Sequence, residues 1–363
     1  MDKDTAKVLM REGALFVLLD MPEGSEFGID YNSWTTGPKF RGVKMIPPGI
    51  HFVYYSAQSS NHTSGMRTGF FHNFKQKEML VKKWDKYNED IFPGQVSTEE
   101  QERLESNIAE LDQYLGPYPY DSYKKWVSLT NHITEDLIQH LQPQCGTIYS
   151  VAQFESPCSN SKSRQAALTD KSPTQASKDG LPDLTAIAGT EMQFSKIPKK
   201  RYPEGATPQE ITKHSMDSSY MLETMLQSVY TDNIHSILGE IQFSFVCFLI
   251  GQVYDAFDQW KKLVHLLCSC ESALNTHNDL FMDFITVLHF QVHEIPEDFF
   301  VDIVSANNFL TSTLQEFFSN LENGNGDSKL RQRGIKFREH LTKKFNWDFT
   351  SEPDEFAPVV VDT

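Results

Sequence analysis

Side chains that could hold a metal ion are few in this sequence. His289 and His293 stand four residues apart, with Glu294 beside them, so on a helix both imidazoles could face one ion. Spacing supplies no third ligand, and two partly buried polar residues of a helix explain the pair more simply. Cys268 and Cys270 give two ligands where a structural zinc site usually takes four, and two small core residues explain them. We therefore predict no metal site.

Catalytic motifs are also absent from the sequence. It contains no Gly-x-Ser-x-Gly nucleophile motif, no phosphate-binding loop that ends in Lys and Ser or Thr, and no His-Glu-x-x-His pair. Residues 27–49 are rich in Gly, Pro and aromatic side chains and could form a ligand pocket, but turns packed on a sheet are the simpler interpretation. We assign no catalytic or cofactor-binding residue and predict that the protein is not an enzyme.

Composition and charge favour a protein partner. A chain of 363 residues is longer than one ordinary hydrophobic core supports, which suggests two domains. A content of 39% hydrophobic and 23% charged residues is typical of soluble globular proteins. A net charge of −16 argues against a protein whose main role is binding nucleic acid. Roughly thirteen of these charges follow Gly205, which would steer this half toward basic protein surfaces.

The cysteine count and the apolar runs indicate the compartment. Five cysteines without a regular spacing suggest a reducing environment. The segment Met1 to Arg11 has no signal-peptide pattern, and the longest apolar run, Phe243 to Ile250, is far shorter than the roughly 20 residues of a membrane span. We expect a soluble intracellular protein.

The N-terminal region has the pattern of short strands separated by turns, which predicts an antiparallel sheet or sandwich. The predicted strands are Ala14–Leu19, Lys39–Ile46, Ile50–Tyr55, Thr68–Phe74 and Met79–Trp84. A helical period begins at Ser97, whose spacing to Glu100 has the capping-box form. The apolar side of this predicted helix contains Leu104, Ile108, Leu111 and Leu115. A second helical stretch follows, with Trp126, Ile133 and Leu137 on its apolar side. We expect both to pack on the sheet.

The C-terminal region is predicted to be helical from Thr207, where Thr207, Pro208 and Glu210 form a capping box with Pro at the first helical position. Six or seven packed helices follow, and Gly239 to Cys268 has the pattern of a helical hairpin. The sequence thus predicts an α+β protein. Its expected parts are a β-rich domain with helices at its end (1–150), a flexible Ser, Lys and Pro rich linker (151–186), an all-helical domain (187–350) and an extended tail (351–363).

The linker and the tail carry further candidates. Ser156-Pro157 and Ser172-Pro173 could be phosphorylated, although an ordinary flexible loop is the simpler interpretation. The basic run Lys199 to Arg201 could be a weak nuclear import signal or simply solvated charge. The tail, Phe356 to Thr363, holds three consecutive valines that could pair with an internal sheet edge or add a strand to a partner's sheet.

Several stretches of the sequence strongly resemble the A-one cistron-splicing factor family. They are Glu26-Phe-Gly-Ile-Asp-Tyr-Asn-Ser-Trp34, Gly37 to Ile50, Leu111-Asp-Gln-Tyr-Leu-Gly-Pro-Tyr-Pro-Tyr120, Pro203 to Asp217, Gly239-Glu-Ile-Gln-Phe-Ser-Phe-Val-Cys-Phe-Leu249 and Ile295 to Val304. The resemblance covers both domains and the tail, and it weakens across the linker and around Ser59 to Arg67.

This resemblance implies a β-rich N-terminal domain and a C-terminal superhelix similar to VHS domains. It also implies a role in U5 snRNP assembly in the cytoplasm and nucleus. In this role the protein would bind the RNase H-like and MPN-like domains of the large spliceosomal scaffold protein. We expect no direct contact with nucleic acid. The family's tail joins that contact by strand addition, which corresponds here to Pro358, Val359, Val360 and Val361. The alternative is a helical peptide-binding adaptor of another intracellular complex, since fold alone does not fix function.

Overall fold

The computed structural model describes residues 2–57, 65–94, 96–155, 185–295, 309–323 and 328–349. The fold is α+β, with a β-rich N-terminal region and a helical C-terminal region. The strands are β1 Ala14–Leu19, β2 Glu26–Ile29, β3 Asn32–Thr35, β4 Gly42–Ile46, β5 Gly49–Ser56, β6 Thr68–Phe74, β7 Met79–Asp85, β8 Asp90–Ile91, β9 Leu115–Pro117, β10 Ile148–Tyr149, β11 Phe154–Glu155 and β12 Thr185–Ala186.

Helices of the N-terminal region precede and follow its main strands. They are α1 Lys3–Glu12, α2 Thr98–Ser106, α3 Ile108–Leu111, α4 Tyr123–Thr130 and α5 Glu135–Leu141. The C-terminal region contains α6 Pro208–Met216, α7 Ser219–Ser228, α8 Ser236–Leu249, α9 Tyr254–Cys268, α10 Ala273–Thr276, α11 Asn278–Glu294, α12 Phe309–Asn323 and α13 Ser328–Phe345. In the described part of the chain, none of these helices has both the length and the apolar character needed to cross a bilayer.

The strands form two five-stranded sheets and a small ribbon. The first sheet has the order β8-β7-β1-β4-β9, the second has the order β10-β6-β5-β2-β3, and β11 pairs with β12. The sheets pack face to face, with the ring of Phe16 stacked 5.8 Å from that of Phe27 in a shared apolar cluster. Burial of one face of each sheet accounts for the sandwich.

The five predicted strands are confirmed, but the purely antiparallel arrangement is wrong for the first sheet. There β1 runs parallel to β7, and β4 runs parallel to β9. Parallel partners need long crossover connections and leave no local turn signal in the sequence. The second sheet is antiparallel at every pairing among its described strands.

The single long helix predicted from Ser97 is wrong. Ser97 does cap α2, accepting from the Glu100 amide, but the helix stops at Asn107. The Asn107 side chain donates to the Arg103 carbonyl at 2.9 Å, and its own backbone leaves the helical region. The chain restarts as α3, and Leu115 lies in strand β9 rather than on a helix.

Helix prediction succeeded better in the C-terminal region. Thr207 and Glu210 form both halves of the capping box, with Pro208 at the first turn of α6. The predicted hairpin is formed by α8 and α9, whose rings meet where Phe248 stacks 4.4 Å from Phe257. The helix predicted around residues 299–304 lies outside the described residues, and the VHS-like character of this region stays a prediction.

The two regions share a hydrophobic cluster. Phe71 of β6 stacks on Phe243 of α8 at 4.9 Å, and Trp126 of α4 and Leu137 of α5 belong to the same cluster. Helices α4 and α5 therefore pack on the second sheet, as predicted, and they also contact α8.

Candidate functional site

The two cysteines considered as metal ligands are core residues. Cys268 and Cys270 are fully buried, and burial raises the pKa of both thiols well above their ordinary value. The Cys270 thiol donates to the Leu266 carbonyl at 3.0 Å. Neutral thiols in an apolar core bind no metal and react slowly, so they have a packing role.

The histidine pair on α11 is not arranged as a metal site. His289 faces the ring of His340 on α13 at 4.8 Å, whereas His293 is exposed. Glu294 accepts from Lys125 at 2.5 Å. Within the described ranges, no three His, Cys, Asp or Glu side chains are grouped closely enough to hold a metal ion.

The Gly and Pro rich segment is a structural hairpin with a buried polar network. Strands β2 and β3 are joined by a two-residue turn at Asp30 and Tyr31. Asp30 has a positive φ of 54° and no exposed surface. Its carboxylate contacts His51 Nδ1 at 2.7 Å and accepts from the Tyr118 hydroxyl at 2.5 Å.

This network resembles an acid–base pair but has a structural role. The second ring nitrogen of His51 contacts the Pro47 carbonyl at 2.8 Å, so both nitrogens are engaged. Burial, and then the Asp30 charge, raise the pKa of Tyr118, which keeps the phenol protonated as a donor. The network ties the β2–β3 turn to β5 and to the segment after β9.

A second buried carboxylate organises the helical region and was also missed by sequence reasoning. Glu240 of α8 is fully buried and accepts hydrogen bonds from Ser195, Tyr230 and Gln259 at 2.6 to 2.9 Å. The sequence did contain a signal, since Glu240 is an acidic residue in a helix that is otherwise mostly apolar. A carboxylate in such a helix is buried only when several donors surround it, so a polar network could have been predicted there. Here it fixes residue 195 against α8 and α9.

The junction between the two regions is polar as well as apolar. Arg67 pairs with Glu26 at 2.7 Å, donates to the Ile250 carbonyl at 2.8 Å and lies over the Tyr54 ring. Gln242 of α8 accepts from the His132 amide at 2.8 Å. These contacts hold the sheet edge and the α8–α9 hairpin in a defined arrangement.

A groove lies at this junction, and it is the best candidate for an interaction surface. It has a volume of about 510 Å³ and adjoins a recess of about 710 Å³ that shares Tyr149 and Gln153 with it. Side chains that line the two parts include Tyr55, Met66, Glu89, Asp90, Tyr149, Val151, Glu191, Met192, Phe194, Val253, Tyr254 and Asp255.

The groove combines aromatic surface with acidic groups. The Tyr254 side chain is 64% exposed, and Glu191 and Asp255 are exposed beside it. Asp90 accepts from the Tyr55 hydroxyl, and burial together with the Asp90 charge raises the pKa of Tyr149 to about 12. Such a lining suits a segment that carries Lys or Arg beside apolar side chains.

Comparison with known proteins identifies the family. A family model described as the AAR2 N-terminal domain matches residues 12–143, and one described as the AAR2 C-terminal repeat region matches residues 194–350. The chain belongs to the AAR2 family. This confirms the resemblance. Several residues that line the groove, among them Tyr149 to Gln153, lie in the sequence between the two matched ranges.

Two mammalian members of the AAR2 family match along the whole chain, and a yeast member matches part of it. "Protein AAR2 homolog" of Mus musculus is 48% identical over 371 residues, which cover 100% of this chain and 97% of the relative. The Homo sapiens protein of the same name is also 48% identical, with the same coverage. "A1 cistron-splicing factor AAR2" of Saccharomyces cerevisiae is 22% identical over 75% of this chain and 74% of its own length. None of these three is named as an enzyme.

The predicted partner-binding residues of the tail, Pro358 to Val361, lie outside the described residues. The linker motifs at Ser156 and Ser172 lie outside them too. Lys199 to Arg201 are exposed, and Lys200 pairs with Glu204 at 2.6 Å, which fits solvated charge.

Proposed function

We propose that this AAR2 family member is a non-catalytic pre-mRNA splicing factor and assembly chaperone. It binds the large U5 snRNP scaffold protein through the RNase H-like and MPN-like domains of that protein. While bound, it blocks premature association of other partners, and it leaves when its affinity falls. It acts in the cytoplasm and nucleus as a protein-binding factor without a cofactor.

The observation that carries this proposal is the match along the whole chain to a family with a named splicing factor. The yeast relative bears that name, and the mammalian relatives align with 100% of this chain. The family therefore supports a role in splicing. U5 assembly and the identity of the partner go beyond what these relatives are named for, and the experiments below test them.

Charge and shape support a contact with a basic protein surface. The chain has a net charge of −16, and the junction groove presents Glu191 and Asp255 next to the exposed Tyr254 ring. Acidic groups at the rim of an interface raise the association rate with a basic partner and disfavour acidic ones. A surface of the scaffold that normally receives RNA would have the complementary charge.

The tail is proposed to add a strand to the scaffold protein. Pro358, Val359, Val360 and Val361 contain three β-branched residues, which favour an extended backbone, and strand addition provides main-chain hydrogen bonds. The tail and the groove would then be two contacts on one chain. Their tethering strengthens binding beyond either contact alone.

Calorimetry with the purified scaffold domains tests the proposal directly. The RNase H-like and MPN-like domains, singly and together, are titrated with the full chain at moderate salt. We expect tight binding to the pair, and deletion of residues 356–363 should weaken it roughly tenfold or more. Absence of binding to either domain would contradict the proposal and favour the adaptor function. Unchanged affinity after the deletion would remove the tail from the contact.

A charge variant separates the groove from the tail. Replacing Glu191→Gln together with Asp255→Asn should slow association about 3- to 10-fold, with a smaller effect at high salt. The matched control is Glu102→Gln with Glu110→Gln, which removes two exposed carboxylates from α2 and α3. Equal effects of the two double variants would mean that only net charge matters.

A further inference from the structure

Helix α13 carries a charge opposite to that of the chain as a whole. It contains seven Lys and Arg residues and a single Glu, in a protein with a net charge of −16. The cations are not spread evenly around the helix. Arg333, His340 and Lys344 recur at seven- and four-residue intervals and so lie along one side, next to Lys336 and Lys343.

This side of α13 borders helix α11 and forms what we call the cationic seam, defined by Arg333, His340 and Lys344 of α13 with His289 and His293 of α11. The rings of His289 and His340 are 4.8 Å apart. Arg333 donates to the Thr286 hydroxyl, and Lys344 approaches the His293 carbonyl at 3.5 Å. The seam is therefore fixed by contacts across both helices.

Among the described residues, little negative charge lies close to the cationic seam. Glu294 lies 3.5 Å from His293, but it is largely buried and pairs more closely with Lys125 at 2.5 Å. Arg338, on the other side of α13, pairs with Glu322. Burial lowers the pKa of His289, and the further contributions all come from cationic groups, namely His340, His293, Lys344 and Arg333.

An apolar group lies beside these charges. The Phe290 side chain is 37% exposed, and its ring is 5.5 Å from that of His289. The distance from Arg333 to Lys344 along the helix is about 16 Å, because each residue rises about 1.5 Å. An extended segment of five residues spans a similar length.

We propose that the cationic seam is a second protein-binding surface, whose occupant is a short carboxylate-rich segment of a partner protein with an aromatic or aliphatic anchor. The carboxylates pair with Arg333, His340 and Lys344, and the anchor packs on Phe290. This surface is distinct from the acidic groove. It would bind a negatively charged segment, whereas the groove suits a positively charged one.

The net charge of the chain favours an acidic peptide over RNA. A long polyanion would extend beyond the cationic seam and be repelled by the acidic remainder of the chain. A five-residue segment feels mainly the local charges, since screening limits exposed interactions to about 8 Å at physiological salt.

Fluorescence anisotropy with the full chain tests this proposal. The probe is a labelled ten-residue peptide in which Glu alternates with Phe and Leu. We expect saturable binding at low salt that weakens about tenfold in the double variant R333Q with K344Q. The double variant R103Q with K213Q, which removes one Arg and one Lys elsewhere, should bind as the unchanged chain does. Urea unfolding checks that both variants are folded.

Three further results bear on the proposal. The same peptide with Lys in place of Glu fits the acidic groove rather than the cationic seam, so its binding should be the same in the unchanged chain and in R333Q with K344Q. A tenfold loss in that variant would overturn a charge-based site. Tighter binding of a ten-nucleotide single-stranded RNA than of the acidic peptide would overturn the choice of partner. Binding of the acidic peptide only after removal of residues 350–363 would make the chain's own acidic tail the occupant and overturn the partner segment.

Discussion

Buried carboxylates are the most informative feature at the scale of single residues. Asp30 and Glu240 have no exposed surface, and each is surrounded by several hydrogen-bond donors. An ionised group in a protein interior is tolerated only when such donors replace its hydration. These side chains therefore organise the fold, although carboxylates next to His or Tyr are also common in catalytic sites.

Replacing Asp30→Asn should destabilise the protein by about 2 to 4 kcal/mol, because an amide nitrogen would face donors and the charge-assisted bonds would be lost. Urea unfolding at neutral pH measures the change. The Tyr118→Phe variant removes one hydrogen bond of the same network and should cost about 1 kcal/mol. An Asp30→Asn variant as stable as the unchanged chain would mean that the network contributes little.

At the scale of elements, we expect the docking of α13 on α11 to depend on pH. The pKa of His289 is lowered by burial and by His340, His293, Lys344 and Arg333, and that of His340 is lowered as well. In the unfolded chain a histidine binds its proton near pH 6.5. Below that pH the unfolded state therefore binds more protons than the folded state, so stability falls as pH decreases.

We expect the free energy of unfolding to decrease as the pH is lowered from 7 to 5. The decrease should be smaller in the His289→Gln variant than in the unchanged chain. Urea unfolding at a series of pH values measures the slope. His140→Gln, at an exposed position on α5, is the control and should keep the original slope. Identical slopes for all three proteins would exclude His289 as a source of the pH dependence.

At the scale of the whole molecule, the close approach of α8 to the segment between α4 and α5 joins the two regions. A Cβ at Gly239 would lie 2.4 Å from the His132 carbonyl oxygen and 2.6 Å from the Leu137 side chain. Nearby, Gln242 accepts from the His132 amide. The glycine permits this contact, and a larger residue would separate the helix from the N-terminal region.

Gly239→Ala should therefore lower the free energy of unfolding by about 1 to 3 kcal/mol, because overpacking at a backbone contact forces the elements apart. Thermal unfolding followed by far-UV circular dichroism measures the loss. Gly37→Ala is the control, since a Cβ there meets no atom within 4 Å. If Gly239→Ala proved as stable as Gly37→Ala, the junction would tolerate separation and the groove would not have a fixed shape.

Local patterns predicted the elements whose signals are carried by neighbouring residues. Strand β1 has the predicted bounds because its apolar run ends at turn-forming residues, and α6 begins at Thr207 because the capping box is a local motif. Local reasoning failed at Asn107, where a side-chain hydrogen bond ends a helix whose apolar period continues. It also missed α1, a ten-residue helix in which Leu9 is the buried residue.

The sequence by itself determined the α+β class, the positions of most described strands and helices, the acidic character and the family. Only the tertiary structure decided which distant residues meet. Asp30 and Tyr118 are 88 residues apart, β1 pairs in parallel with β7, and α13 brings its cations against the histidines of α11. Such contacts depend on the packing of whole elements, and a pattern with a period of two to four residues contains no information about partners that far along the chain.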